Sequence, residues 1–298
     1  MTSLTFIMPV RHPQSVRDPA DQQRVIGQTI RSIAAQTVDD WRLRIVCNRE
    51  QRLPPLPANV ERVDIDLPPL PREALASATD MASTYVPANL DRGRRVHLGL
   101  AGLGPDDLIM PVDDDDFISR RLAEHVLARA AAGGSAWLLG PGYVFPDGGF
   151  WMRPASVDCY RFTGTSVIAR LRRFPGLADA APSEEAVHDI GDHGRSSSRL
   201  LTGDDPAEIV PFPAVVYRVN HGNQVQVDVA RFIPDGERVG ILPRRRSANP
   251  VKDLVHRLRF AARERPLHPL LCREFFGGLT PPRGPDRDRR GSATQAAR

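Results

Sequence analysis

Four consecutive carboxylates, Asp113-Asp114-Asp115-Asp116, stand directly behind the apolar run Leu108-Ile109-Met110-Pro111-Val112. Like charges a few ångströms apart repel one another, and a divalent cation relieves that repulsion at once. If the strand continues through Asp115, alternation puts Asp113 and Asp115 on one side, roughly 6 to 7 Å apart along the backbone. Both then reach a common ion, and an all-oxygen ligand set suits Mg²⁺ or Mn²⁺. The competing reading is a solvated turn in which one aspartate caps a helix starting near Ser119. The apolar strand in front of the run favours the metal site.

The elements that must position this cluster can be read from periodicity. Leu4 to Val10, Leu43 to Cys47, Val60 to Ile65 and Leu108 to Val112 read as strands. Gln22 to Gln36, with Val25, Ile26, Ile30, Ile33 and Ala34 in register, and Arg92 to Leu103 read as helices. Strands alternating with helices predict an α/β fold, a doubly wound, mostly parallel, Rossmann-like sheet with helices on both faces. Ligands of such sheets sit beyond the carboxyl ends of the strands, where the acidic run falls. The proline-rich stretches 53–57 and 67–71 read as loops.

With 298 residues, 41% hydrophobic and 26% charged, the chain can bury a real core. Cys47, Cys159 and Cys272 lie far apart with no ligand spacing, which argues against a disulfide framework or a zinc site and for a reducing cytoplasm. No signal peptide or membrane span is expected. Residues 1–243 hold 26 basic and 31 acidic side chains, whereas 244–298 hold 14 and 5, so the positive balance belongs to the C-terminal end. An acidic body argues against nucleic acid as a partner. Asn249-Pro250 opens an expected helix to about Arg265, with Val251, Leu254, Val255, Leu258 and Ala262 at helical spacing and basic residues interleaved. It reads either as a helix packed on the body or as a peripheral contact with an anionic membrane. Residues 280–298 are expected to be disordered.

Several segments resemble, in order, the GT-A glycosyltransferases, especially family 2. These are Phe6-Ile7-Met8-Pro9-Val10, the helix end Ser32-Ile33-Ala34-Ala35-Gln36-Thr37 followed by Asp40-Trp41-Arg42-Leu43, Asp91-Arg92-Gly93-Arg94-Arg95, and Asp113-x-Asp115-Asp116. Further on, Val215-Val216-Tyr217-Arg218-Val219-Asn220-His221 resembles the family's strand ending in Y-R-x-H. The resemblance implies a GT-A-like domain over residues 1–243. Residues 1–118 would form its nucleotide-sugar-binding half and 119–243 its acceptor-side half, followed by a basic helical extension over 244–279.

It also implies a metal-dependent transferase moving a sugar, with inversion, from a nucleotide-diphosphate donor to a glycan or lipid-linked acceptor. Such an enzyme would serve polysaccharide biosynthesis in the cytoplasm or at the inner face of the membrane. The implied metal residues are Asp113, Asp115 and His221. Implied donor contacts are Pro9, Val10, Arg11, Asn48, Asp91, Arg95, Asp113 and Asp114, with His12, Asp64, Asp66 and Arg94 as further candidates. Asp192 is the implied base, one residue after Gly191 where the family has glutamate, and Asp189, Glu185 and Glu184 stand as alternatives. Two other readings remain open. One is a nucleotidyltransferase, although Pro9-Val10-Arg11-His12-Pro13 lacks its glycine-rich loop; the other is a degenerate glycan-binding protein.

Overall fold

The computed structural model describes residues 2–70, 81–155, 158–219, 221, 223, 265–278 and 280–282. Seven strands form the main sheet in the order β10-β6-β9-β4-β1-β2-β3, where β1 is Leu4–Pro9, β2 Trp41–Asn48, β3 Val60–Ile65, β4 Leu108–Pro111, β6 Ala136–Leu139, β9 Val167–Arg170 and β10 Glu208–Val210. Strands β3, β2, β1 and β4 pair in parallel, as do β6 and β10, and β9 runs antiparallel between β4 and β6. This is the expected mostly parallel α/β sheet, and β9 is its one reversed strand.

Both faces are covered because both sets of alternating side chains are apolar. Leu4, Phe6 and Met8 of β1 pack with Ile26, Ile30 and Ile33 of helix α1 (Pro19–Ile33) and with Val126 of helix α3 (Leu122–Ala131). Ile7, Val46 and Ile109 face the opposite layer, where Val96 of helix α2 (Met81–Leu98) and Ile190 of helix α4 (Glu184–Gly191) close the core. Helix α1 begins earlier than its apolar spacing suggests. Asp18 caps it by accepting from the Ala20 and Asp21 N–H groups, and Pro19 fills the first turn, where a missing N–H costs nothing. Helix α2 likewise starts well before Arg92 and carries Pro87 internally. The helix expected near Ser119 begins at Leu122, and no aspartate of the acidic run caps it.

A second, five-stranded sheet is ordered β12-β8-β7-β11-β5, with β5 at Phe117–Ile118, β7 at Gly142–Pro146, β8 at Trp151–Pro154, β11 at Val215–Val219 and β12 at Arg265–Pro266. Helix α6 (Pro269–Phe275) packs Cys272 and Phe275 onto this sheet beside Phe117, Phe145 and Met152. Arg121 pairs with Glu274 at 3.0 Å, so residues 265–276 belong to the body's own packing. The expected 249–265 helix falls, apart from Arg265, outside the described residues, as does most of the 280–298 tail. No helix among the described residues is long and apolar enough to cross a membrane.

Candidate active site

Strand order places β1 and β4 side by side with the chain departing in opposite directions from them, and sheets of this kind bind ligands in the crevice beyond the carboxyl ends of the strands at such a point. The acidic run occupies that crevice. Oxygen atoms of Asp113, Asp115 and Asp116 lie within 4.8 Å of one another. The expected pair therefore converges, and Asp116 joins it as a third carboxylate that alternation alone assigned to the other side.

Each aspartate is held differently. Asp113 donates its backbone N–H to Thr165 Oγ1 at 2.8 Å and accepts from Arg92 Nε at 2.9 Å. Asp114 is buried against α1, where Gln22 Nε2 donates to its carboxylate at 3.4 Å and Thr29 Oγ1 to its carbonyl at 3.1 Å. Burial, reinforced by the Asp115 charge, pushes the Asp114 carboxyl up to about 6. Burial acts on Asp115 in the same direction. There the hydrogen bond with His221 Nε2, 2.8 Å from Oδ2, and the charges of His221, Arg11 and Arg218 together outweigh it and hold the group below the ordinary carboxylate range. Asp116 is fully buried and accepts from Thr163 Oγ1 at 2.7 Å and from the Arg218 N–H at 3.3 Å. Burial and the charges of Asp115 and Asp113 nevertheless place its carboxyl well above the ordinary range.

The reversed strand β9 explains part of this arrangement. Running against β4, it brings its entry turn Thr163-Gly164-Thr165 to the crevice, and no periodicity in the sequence announces that turn. Strand β11 pairs antiparallel with β5, aligning Val215 with Ile118 and Val216 with Phe117, and so carries its far end back to the aspartates and presents His221. Asn223 fastens the segment beyond it. Its Oδ1 accepts from the Arg17 and Asp18 N–H groups at 3.1 and 3.0 Å.

Beneath the aspartates lies a charge layer that sequence reasoning missed. Arg218 is fully buried, with its guanidinium 4.1 Å from the centre of the Phe117 ring and 3.8 Å from Asp147. Asp147 also pairs with Arg24 at 2.6 Å. Burial lowers Arg218 to about 10, and it still carries a positive charge close to Asp115 and Asp116. Arg218 stood in the sequence segment that yielded His221. Only its zero exposure marks it as internal.

The residues expected to contact a donor fall into two groups. Pro9, Val10 and Arg11 lie at the carboxyl end of β1. There the Arg11 carbonyl accepts from Gln22 Nε2 at 3.2 Å, and its guanidinium donates to the Asn223 carbonyl. Asn48, Asp91 and Arg95 are brought together, but with one another. Arg95 forks onto Asp91 at 2.8 and 3.1 Å and donates to Asn48 Oδ1 at 2.9 Å, all three being buried. Arg94 is exposed and lines a separate groove of about 400 Å³ with Leu67, His97 and Glu184. His12 pairs with Glu50 at 2.7 Å, Asp64 with Arg62 at 2.6 Å, and Asp66 is solvated.

Asp192 joins α4 to the next helix, α5 (His193–Thr202), and caps the latter through Oδ1, which accepts from the Gly194 N–H at 2.9 Å. Among its alternatives, Asp189 is buried and paired with Arg195 and Arg199, while Glu184 and Glu185 are exposed. The carboxylate oxygens of Asp113, Asp115 and Asp116 form a hard, partly accessible donor set that fits a divalent cation.

No family profile matches this chain, and no curated protein matches it. Solved structures with a similar layout include S. aureus TarS residues 1–349 (11% identity, 88% of this chain and 71% of that one, TM-score 0.42). A longer TarS structure is covered over 43% of its length. Others are the Francisella tularensis 2-C-methyl-D-erythritol 4-phosphate cytidylyltransferase (11%, 75% and 93%, TM-score 0.40) and the manganese complex of Rv0371C from Mycobacterium tuberculosis (12%, 78% and 97%, TM-score 0.36). These are likenesses of layout alone.

Proposed function

We propose that the chain is a metal-dependent glycosyltransferase that moves a sugar, with inversion, from a nucleotide-diphosphate donor to a glycan or lipid-linked acceptor. The observation that carries this reading is the convergence of three carboxylates at the carboxyl end of β4, with His221 bonded to one of them. Asp113 and Asp115, backed by Asp116, would hold Mn²⁺ or Mg²⁺, which when bound neutralises charge on the departing nucleoside diphosphate.

The remaining chemistry belongs to the chain's own residues. His221 fixes the orientation of the Asp115 carboxylate. The turn Pro9-Val10-Arg11, held by Gln22, offers backbone to the donor beside Asp113 and Asp114. The buried triad Asn48, Asp91 and Arg95 braces the end of β2 as a wall of the donor pocket. Asp192 keeps Oδ1 on its helix cap, and its Oδ2 takes the proton from the acceptor hydroxyl as that oxygen attacks the anomeric carbon. The basic stretch over 244–264 would hold the enzyme to an anionic membrane surface where a lipid-linked acceptor resides.

The test is incubation with UDP-, GDP- and dTDP-sugars and Mn²⁺. Release of nucleoside diphosphate, abolished in the Asp113→Ala/Asp115→Ala double variant, supports the reading. Formation of nucleoside triphosphate from sugar nucleotide and pyrophosphate would instead identify a nucleotidyltransferase.

A further inference from the structure

Arg92 was one letter in a motif, yet its guanidinium is the hub of the site. Nε donates to Asp113 Oδ1 at 2.9 Å, Nη1 to the Ile190 and Gly191 carbonyls at 3.0 and 3.3 Å, and Nη2 to the Gly164 carbonyl at 2.9 Å. Three nitrogens of one rigid plane thus fasten three chain segments. The carbonyls of Ile190 and Gly191 belong to the last turn of α4, which has no intrahelical partners for them and bears the negative end of the helix dipole. Asp192 is the next residue.

The contact depends on an unusually close approach of α2 and α4. A Cβ added to Gly93 would collide with the Val187 carbonyl, and one added to Gly191 would collide with the Asn89 carbonyl. These two glycines let backbone meet backbone, which brings Arg92 within reach of the α4 terminus. A Cβ on Gly164 would meet Asp113 Oδ1 at 2.8 Å and Arg92 Nη2 at 2.9 Å, so the third segment is equally tight.

We infer that Arg92 is a positioning residue that ties the metal-side carboxylate Asp113 to the turn carrying Asp192, fixing the spacing between the donor and acceptor sides of the site. The inference rests on the reading of Asp113 and Asp192 given above. Lysine cannot substitute, because a single ammonium lacks the fork that spans an aspartate and three carbonyls.

The test is hydrogen exchange in the full-length protein, read over residues 190–196, whose amides include Asp192 N–H bonded to the His188 carbonyl and Ser196 N–H bonded to the Asp192 carbonyl. Arg92→Gln and Arg92→Lys should each raise exchange there roughly tenfold while β1 and β2 stay protected. Asp113→Asn should raise exchange in the same segment about threefold with Arg92 present and leave it unaltered in the Arg92→Gln background, the signature of a coupled pair. Unchanged exchange at 190–196 in Arg92→Gln, a rise spread evenly over the protein, or an Asp113→Asn effect of equal size in both backgrounds would each overturn the inference. Should Arg92→Gln fail to fold, Asp113→Asn alone decides, because unchanged exchange at 190–196 in that variant sinks the coupling. No readout here uses a nucleotide, so failure of nucleotide binding would remove the glycosyltransferase reading while leaving this coupling to stand or fall by itself.

Discussion

Gly164→Ala separates the site from the fold. The new Cβ would lie at 2.8 Å from Asp113 Oδ1 and 2.9 Å from Arg92 Nη2, and closer still to Asp113 Oδ2. All three atoms are ends of side chains, so they can swing aside with the backbone in place. The stability cost should therefore sit at the low end for overpacking, about 1 kcal/mol, a fall in Tm of roughly 2–4 °C. The displaced carboxylate, however, is a metal ligand on this account, and disturbing the support of a ligand typically weakens metal binding by about 10- to 100-fold. Calorimetric titration of Mn²⁺ beside thermal denaturation reads both quantities. Mn²⁺ affinity within about threefold of the parent would refute the assignment of Asp113. So would a collapse in Tm, which would show that Gly164 serves the fold rather than the site.

The same geometry makes further predictions. Gly191→Ala meets the Asn89 backbone rather than a side-chain end, so it should cost about 3 kcal/mol or more in urea denaturation; a loss under 1 kcal/mol would contradict the close helix crossing. Asp91→Asn leaves Arg95 charged and buried, at 1% side-chain exposure, with its partner's negative charge removed, and should destabilise by about 3–5 kcal/mol. Asp192→Asn keeps a good helix cap while removing the proton acceptor, so turnover should fall roughly 10²- to 10⁴-fold with Tm unchanged; retained turnover would move the base elsewhere. All three cysteines are buried, and burial pushes the Cys47 thiol up to about 11, so no thiol should react with a disulfide reagent at pH 8 until the protein unfolds. Early reaction of Cys272 would show that α6 is not docked.

What was legible in the sequence was what period and run length encode. Apolar runs such as Leu4 to Val10 gave strands, and their alternation with helices gave a mostly parallel sheet with the acidic run at its carboxyl edge. Asp113 and Asp115 were paired on the condition that the strand runs on through Asp115, but β4 ends at Pro111. Their convergence with Asp116 comes from the turn after β4, where alternation has stopped. The place of the Thr163-Gly164-Thr165 turn beside the aspartates was not legible, since only the antiparallel insertion of β9 brings it there. Asn48, Asp91 and Arg95 were each expected to contact a donor; that they saturate one another depends on burial, which residue type alone does not give. For the arginines of α2, helical phase decided. Arg92 points to Asp113, Arg95 inward to Asp91, and Arg94 to solvent. The packing of α6 had a signal, Leu271 and the pair Phe275-Phe276, overshadowed by the basic stretch before it.

The central claim is a metal-dependent nucleotide site at the carboxyl edge of β1 and β4. Calorimetric titration of UDP, GDP and dTDP, with and without Mn²⁺, into the parent and the Asp113→Ala/Asp115→Ala variant tests it most directly. The account predicts that one nucleotide binds only with Mn²⁺ and that the variant loses this binding. Absence of binding under every condition, or binding that survives in the variant, would contradict it and return the four aspartates to an acidic turn held by Arg92, His221 and Arg218.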